Sequence, residues 1–125
     1  MKAVLDAGAF VAVEQRDRRV GAMLRVLQQR KVPLLTSAAV VAQVWRDGRK
    51  QALLAQILSG IAVAPLGAGI DRKTGELLAV SHGHDVIDAH LALCIDEADH
   101  VLTSDPVDLR RLLDARRVAA TVVRC

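Results

Sequence analysis

Short runs of consecutive apolar residues alternate along this chain with longer stretches in which apolar residues recur every three or four positions. Ala3, Val4 and Leu5, just ahead of Asp6, form one such run and read as a buried strand. Val32 to Thr36, Ile61 to Ala64, Val101 to Thr103 and Val118 to Val123 read as four more. Between them, helices are predicted over about Gly8 to Gln15, Asp17 to Arg30, Ala38 to Arg46, Arg49 to Leu58, Ile70 to Val80, Val86 to Ala98 and Pro106 to Arg116. Val20, Leu24 and Leu27 share one face of the second helix. Turn chemistry separates the elements. Thr36 or Ser37 caps the third helix and Asp47-Gly48 is placed to end it, while Pro65 stops the third strand and Gly67-Ala-Gly69 opens the fifth helix. Strands alternating with helices predict βαβ units, hence an α/β fold with a mainly parallel sheet of four or five strands flanked by helices. No repeat, linker or low-complexity tract interrupts residues 1–125, so a single domain is expected.

Composition narrows the function classes. At 125 residues and 52% apolar, the chain can bury a real core. Phe10 and Trp45 are its only aromatics, too few for a base-stacking platform. The net charge of +3 leans towards a polyanionic partner without demanding one. Cys94 and Cys125 make no disulfide framework; Cys94 falls in an apolar helical pattern and reads as a small core residue. With no membrane-length apolar run and no secretory leader pattern at Met1, a cytoplasmic protein is expected.

The chemistry lies in five acids. Asp6 ends the first strand, Asp85 and Asp88 open the sixth helix, and Asp105 and Asp108 follow the fourth strand. In an open parallel sheet, strand C-termini and the following helix N-termini share one edge, where ligands bind. Carboxylates converging there suit a hard divalent cation, Mg²⁺ or Mn²⁺, and with it phosphodiester hydrolysis by an activated water. Capping competes with this assignment. Asp85-Val-Ile-Asp88 matches a cap followed by an acid at the third helical position, and Asp105-Pro-Val-Asp108 repeats it with Pro at the first. Capping alone accounts for four of the five acids, but it requires no relation between the two pairs and none to Asp6.

Taken together, Val4-Leu-Asp-Ala-Gly8, Ala38-Ala-Val-Val-Ala-Gln-Val-Trp45, Val86-Ile-Asp-Ala-His-Leu-Ala92 and Leu102-Thr-Ser-Asp-Pro-Val-Asp-Leu109 resemble PIN-domain proteins, above all the VapC-like toxins of bacterial toxin–antitoxin pairs. The resemblance runs in order along essentially the whole chain. It implies a PIN-like three-layer sandwich and a Mg²⁺- or Mn²⁺-dependent endoribonuclease acting on structured RNA such as tRNA or rRNA. It also implies a cognate antitoxin and a homodimer. On that pattern Asp6, Asp88 and Asp105 hold the ion, Asp108 is an accessory catalytic acid, Asp85 is a further neighbour, and Thr103 or Ser104 supplies a hydroxyl that supports the last acid.

The chain departs from the pattern at two places. Gln43 stands where the family carries Glu, and an amide attracts a divalent ion less and accepts no proton. Gly8 stands where Ser or Thr is usual. Asp47, four residues beyond Gln43, lies on the same predicted helix face and could partly substitute. Gln43 therefore opens a second functional reading, a PIN-fold module that binds RNA or an antitoxin with weak or lost nuclease activity.

Other polar residues have plainer roles. His82, His84, Asp85 and His90 do not suggest zinc, lacking a nearby Cys, and His90 reads as a packing or hydrogen-bonding residue. His100 reads as a surface residue. Trp45 is expected to pack rather than to stack on RNA. Among the basic groups, Arg46, Arg49, Arg110 and Arg111 lie nearest the acids in sequence and are candidates for phosphate contacts. A phosphoacceptor receiver-like domain fits poorly, since the first strand ends in a single acid and no Lys follows a late strand.

Overall fold

The computed structural model describes all 125 residues. Five strands, β1 (Ala3–Leu5), β2 (Leu34–Ser37), β3 (Ala62–Ala64), β4 (His100–Thr103) and β5 (Thr121–Arg124), form one sheet in the order β3-β2-β1-β4-β5. Every pairing is parallel, with Val4 registered against Leu35 on one side and Val101 on the other. Seven helices connect them: α1 (Ala7–Glu14), α2 (Arg18–Gln29), α3 (Ala38–Val44), α4 (Ala52–Leu58), α5 (Ile70–Ser81), α6 (Val86–Leu93) and α7 (Pro106–Arg116). α1 packs on α2, α3 and α4, and α5, α6 and α7 pack on one another, with α3 also touching α6. The chain walks outward from β1 to β3, then returns to the far side of β1 for β4 and β5. The strand order therefore reverses between β1 and β4, the position where open α/β sheets bind ligands.

β1 lies at the centre and all three of its side chains are buried, as expected of a parallel strand covered on both faces. Phe10, Leu54, Leu91 and Ile95 are the largest apolar side chains packed around it. Truncating Phe10 to Ala would cost about 3–5 kcal/mol, through lost transfer energy and the cavity left behind. Thr36 donates its hydroxyl to the Leu5 carbonyl at 2.7 Å, tying β2 to β1 inside this core.

Several boundaries differ from the apolar pattern. α3 ends at Val44, where Trp45 turns to extended backbone, so Asp47 lies in a turn and is not on the helix face beside Gln43. There its carboxylate accepts the Arg49 N–H at 3.0 Å. α4 begins at Ala52, three residues later than expected, and β5 at Thr121 instead of Val118. The predicted long helix from Val86 stops at Leu93, and Cys94 is its half-buried C-cap, not a core residue. Arg116, reaching across from α7, donates to the Ala92 and Ile95 carbonyls and closes that helix end. His100 is half-buried as the first residue of β4 and is not simply a surface group.

At the sheet edge opposite the strand C-termini, Asp99 is buried and accepts from the Lys2 N–H, the Lys2 Nζ and the Asp96 N–H. Burial opposes its ionisation, but the bonds to Lys2 and Asp96 outweigh that and hold its carboxyl below the ordinary value. Lys2 is likewise lowered by burial and raised more by Asp96 and Asp99, so its ammonium titrates above 10.5. A depressed carboxyl contributes stability above its unfolded value of 3.8, and that contribution is lost as pH falls through the folded value. Asp99→Asn is therefore expected to lower Tm at pH 7 and to flatten the fall in Tm below about pH 4, as read by thermal melts across acid pH. An acid limb as steep as that of the wild type would contradict this role.

Candidate metal centre

The local sequence explains how the acids reach the β1/β4 crevice. Asp6 is the residue at which β1 becomes α1. It is 5% exposed, and its two oxygens accept from the Ala7 N–H at 2.7 Å and the Thr103 hydroxyl at 2.6 Å. Thr103, the last residue of β4, also accepts the Asp105 N–H at 3.0 Å through the same hydroxyl. One side chain thus fixes the Asp6 carboxylate and the backbone of Asp105. The β4–α7 turn approaches α1 closely: a Cβ on residue 8 would lie 2.6 Å from the Ser104 hydroxyl. Gly8 is needed for that approach, and the Ser104 hydroxyl fills the space beside it.

Both capping assignments hold in the structure. Asp85 accepts from the Asp88 N–H at 3.0 Å, and Asp105 accepts more weakly from the Asp108 N–H at 3.5 Å. Capping engages one oxygen of Asp85 and one of Asp105, and it leaves the carboxylates of Asp88 and Asp108 free of it. Asp88, Asp105 and Asp108 each offer an oxygen within 4.8 Å of the other two. Asp6 stands outside that set, and its two oxygens are engaged by the Ala7 N–H and the Thr103 hydroxyl. It nonetheless acts on Asp88 electrostatically. Burial, then the charges of Asp6, Asp85, Asp105 and Asp108, raise the Asp88 carboxyl from 3.8 to about 7.

A cleft of about 160 Å³ opens beside this group, lined by His84, Asp85, Asp88, Asp108 and Arg111 over an apolar floor of Leu78 and Leu112. Arg111 lies 3.4 Å from Asp108, one helical turn away on α7. Its neighbour Arg110 lines a different groove against β5, and Arg46 donates to the carbonyls of Ala42 and Trp45 at the end of α3. Arg49 extends into solvent beside Asp47. Of the four arginines expected near phosphate, Arg111 alone lines the acidic cleft. Gln43 is exposed on α3. Trp45 is 38% exposed, its ring packed over Gly48.

His90 is fully buried on α6. Its Nδ1 meets the Ser37 hydroxyl at 2.6 Å and its Nε2 lies 3.1 Å from the Pro65 carbonyl. Pro65 can only accept, so Nε2 carries the proton and Nδ1 accepts from Ser37. The same Ser37 oxygen caps α3 through the Ala39 and Val40 N–H groups. This bridge fastens α6 to the ends of β2 and β3 and so sets where Asp88 stands. Its partners lie far away in sequence, at Ser37 and Pro65, which is why periodicity revealed only a buried histidine. His84 was visible as a turn residue, but nothing in the sequence placed it at the acidic cleft.

The donor set fits Mg²⁺ or Mn²⁺. It is all oxygen and anionic, the chemistry that a hard divalent cation prefers. Zinc, which prefers Cys and His, finds neither within the three-carboxylate set.

Comparison with solved structures agrees on the fold. VapBC2 from Rickettsia felis bound to a DNA fragment from their promoter matches with a TM-score of 0.69 at 15% identity, over 100% of this chain and 99% of that one. FitAB bound to IR36 DNA fragment matches at 0.63 and 17% identity, over 96% and 94%. FitAcB from Neisseria gonorrhoeae matches at 0.58 and 18%, over 95% and 96%. No family model and no curated protein matches the sequence. The chain thus has a PIN-like α/β fold along its full length, with its acids at the strand-order reversal.

Asp88 yields a test independent of any activity. An acid whose carboxyl is raised in the folded state loses stability for the protein as pH climbs from its unfolded value towards the raised one, here from 3.8 to about 7. Asp88→Asn removes that penalty and keeps the N–H that Asp85 accepts. In EDTA the variant is expected to melt above the wild type at pH 8, with the gap closing by pH 4. Equal melting at both pH values would show that the carboxylates do not strain the fold.

Proposed function

We propose that this protein is a metal-dependent endoribonuclease of the VapC-like toxin type, restrained by an antitoxin partner. The observation that carries this reading is the convergence of Asp88, Asp105 and Asp108 within 4.8 Å at the β1/β4 crevice, with Asp6 buried behind them. Capping explains where two of these backbones lie, but it does not explain why carboxylates that repel one another share one cleft. The neighbours named VapBC2 and FitAB are toxin–antitoxin structures, which supports an antitoxin partner for this chain.

In this reading Asp88, Asp105 and Asp108 hold Mg²⁺ or Mn²⁺, and Asp6 adds charge from behind while Thr103 keeps it in place. When bound, such an ion supplies Lewis-acid charge to a phosphodiester and makes a water molecule more acidic. Asp108, through a carboxylate oxygen not given to the ion, would accept the proton released as water attacks. Arg111 contacts the substrate phosphate without reading sequence. RNA of tRNA or rRNA type is the proposed substrate, and a homodimer is the proposed assembly.

The second reading, an RNA- or antitoxin-binding module with weak or lost catalysis, rests on Gln43 and Gly8. The Ser104 hydroxyl beside Gly8 lessens the second departure, and only the first removes a charge.

Purified protein is expected to cleave tRNA or rRNA with Mn²⁺ and not with EDTA, and Asp88→Asn or Asp105→Asn should reduce cleavage at least about 100-fold, a loss of roughly 2.7 kcal/mol or more in transition-state stabilisation. Both variants keep a cap-competent residue, so circular dichroism should be unchanged. Gln43→Glu should raise cleavage at limiting Mn²⁺. Folded wild type that leaves all these RNAs intact with Mn²⁺, while still binding them, would instead establish the binding module.

A further inference from the structure

The acidic cleft contains one guanidinium, and its position sets two ligands in competition. Arg111 lies 3.4 Å from Asp108, both side chains about half exposed, on consecutive turns of α7. Both residues line the cleft together with Asp88. Asp108 cannot give its full charge to a divalent ion while Arg111 neutralises it. Arg111, in turn, is held back from a phosphate while Asp108 occupies it. Arg110, the adjacent candidate, points to the β5 side of α7 and takes no part.

We propose that Arg111 couples cation binding to RNA binding: it partners Asp108 in the free protein, is released when a divalent cation occupies the three carboxylates, and then engages a backbone phosphate of the RNA. This rests on the metal-centre reading above. The energetics allow such an exchange. A partly exposed pair at 3.4 Å is weakly held, so a divalent ion displaces it readily. Coupling is reciprocal by linkage, so the cation should tighten RNA binding and RNA should tighten cation binding by the same factor. The pair thus guards against RNA binding before the metal is in place, and it keeps Asp108 neutralised in the empty site. His84 lines the same cleft.

The signature is a pair of opposite effects from one substitution. Arg111→Gln removes the competitor for Asp108, so Mn²⁺ should bind about two- to fivefold more tightly by calorimetry in the absence of RNA. The same variant should bind a short fluorescein-labelled hairpin RNA more weakly in Ca²⁺, by about fivefold or more. The benefit of Ca²⁺ over EDTA for RNA binding should also shrink. A residue that merely supports the fold would weaken both ligands together. In an Asp108→Asn background the gain in Mn²⁺ affinity from Arg111→Gln should vanish, because the competition has nothing left to act on. Unchanged or weaker Mn²⁺ binding by folded Arg111→Gln overturns this inference and leaves the metal centre standing. Failure of the wild type to bind Mn²⁺ at all overturns both.

Discussion

Mutual repulsion among carboxylates at the β1/β4 crevice is the constraint around which the rest of the molecule is arranged. Four acids press on Asp88 while it is partly withdrawn from water, and its carboxyl rises to about 7. A cluster like this lowers the stability of the empty protein. It persists because the surrounding parts fix it from several directions. Asp85 and Asp105 spend one oxygen each on helix N-termini, where the backbone dipole favours negative charge. Thr103 bridges Asp6 and the Asp105 backbone, and Gly8 lets the β4–α7 turn approach α1. Local strain held by an over-determined scaffold is the usual condition of a functional site.

The scaffold around the cluster is made of hydrogen bonds that leave no buried polar side-chain atom unpartnered. Ser37, His90 and Pro65 join the ends of β2 and β3 to α6, and Thr36 locks β2 to β1. At the opposite sheet edge, Lys2, Asp96 and Asp99 form an ion-paired clasp whose charges compensate one another. The two edges of the sheet thus contrast in their chemistry. One matches each buried charge with an opposite one, and the other gathers like charges with Arg111 alone as counterweight.

The fold was largely legible because parallel strands buried on both faces are written as short continuous apolar runs, and β1 shows this in Ala3, Val4 and Leu5. Termini were less legible. Val86 to Ala98 is apolar enough to continue as helix, yet α6 stops at Leu93, where Arg116, twenty-odd residues away, donates to the Ala92 carbonyl and to that of Ile95 just beyond the helix. Asp47 was misplaced for a related reason: Trp45 leaves the helix to lie over Gly48, which periodicity does not encode. In the site, the spacing of Asp6, Asp88, Asp105 and Asp108 relative to strand ends was enough to bring them to one edge. Which oxygens remain free was not legible, since that depends on Thr103 bonding Asp6 across 97 positions. Arg110 and Arg111 are adjacent in sequence, and only helical phase on α7 separates the one facing the cleft from the one facing β5.

The central claim is that the carboxylates of Asp88, Asp105 and Asp108 form a divalent-cation site. Crystals grown or soaked with Mn²⁺ and measured at a wavelength that excites manganese test it most directly. The account predicts one dominant anomalous peak between Asp88, Asp105 and Asp108, lost in Asp88→Asn crystals. Density showing these side chains ordered at neutral pH with no manganese among them, at millimolar Mn²⁺, would contradict it.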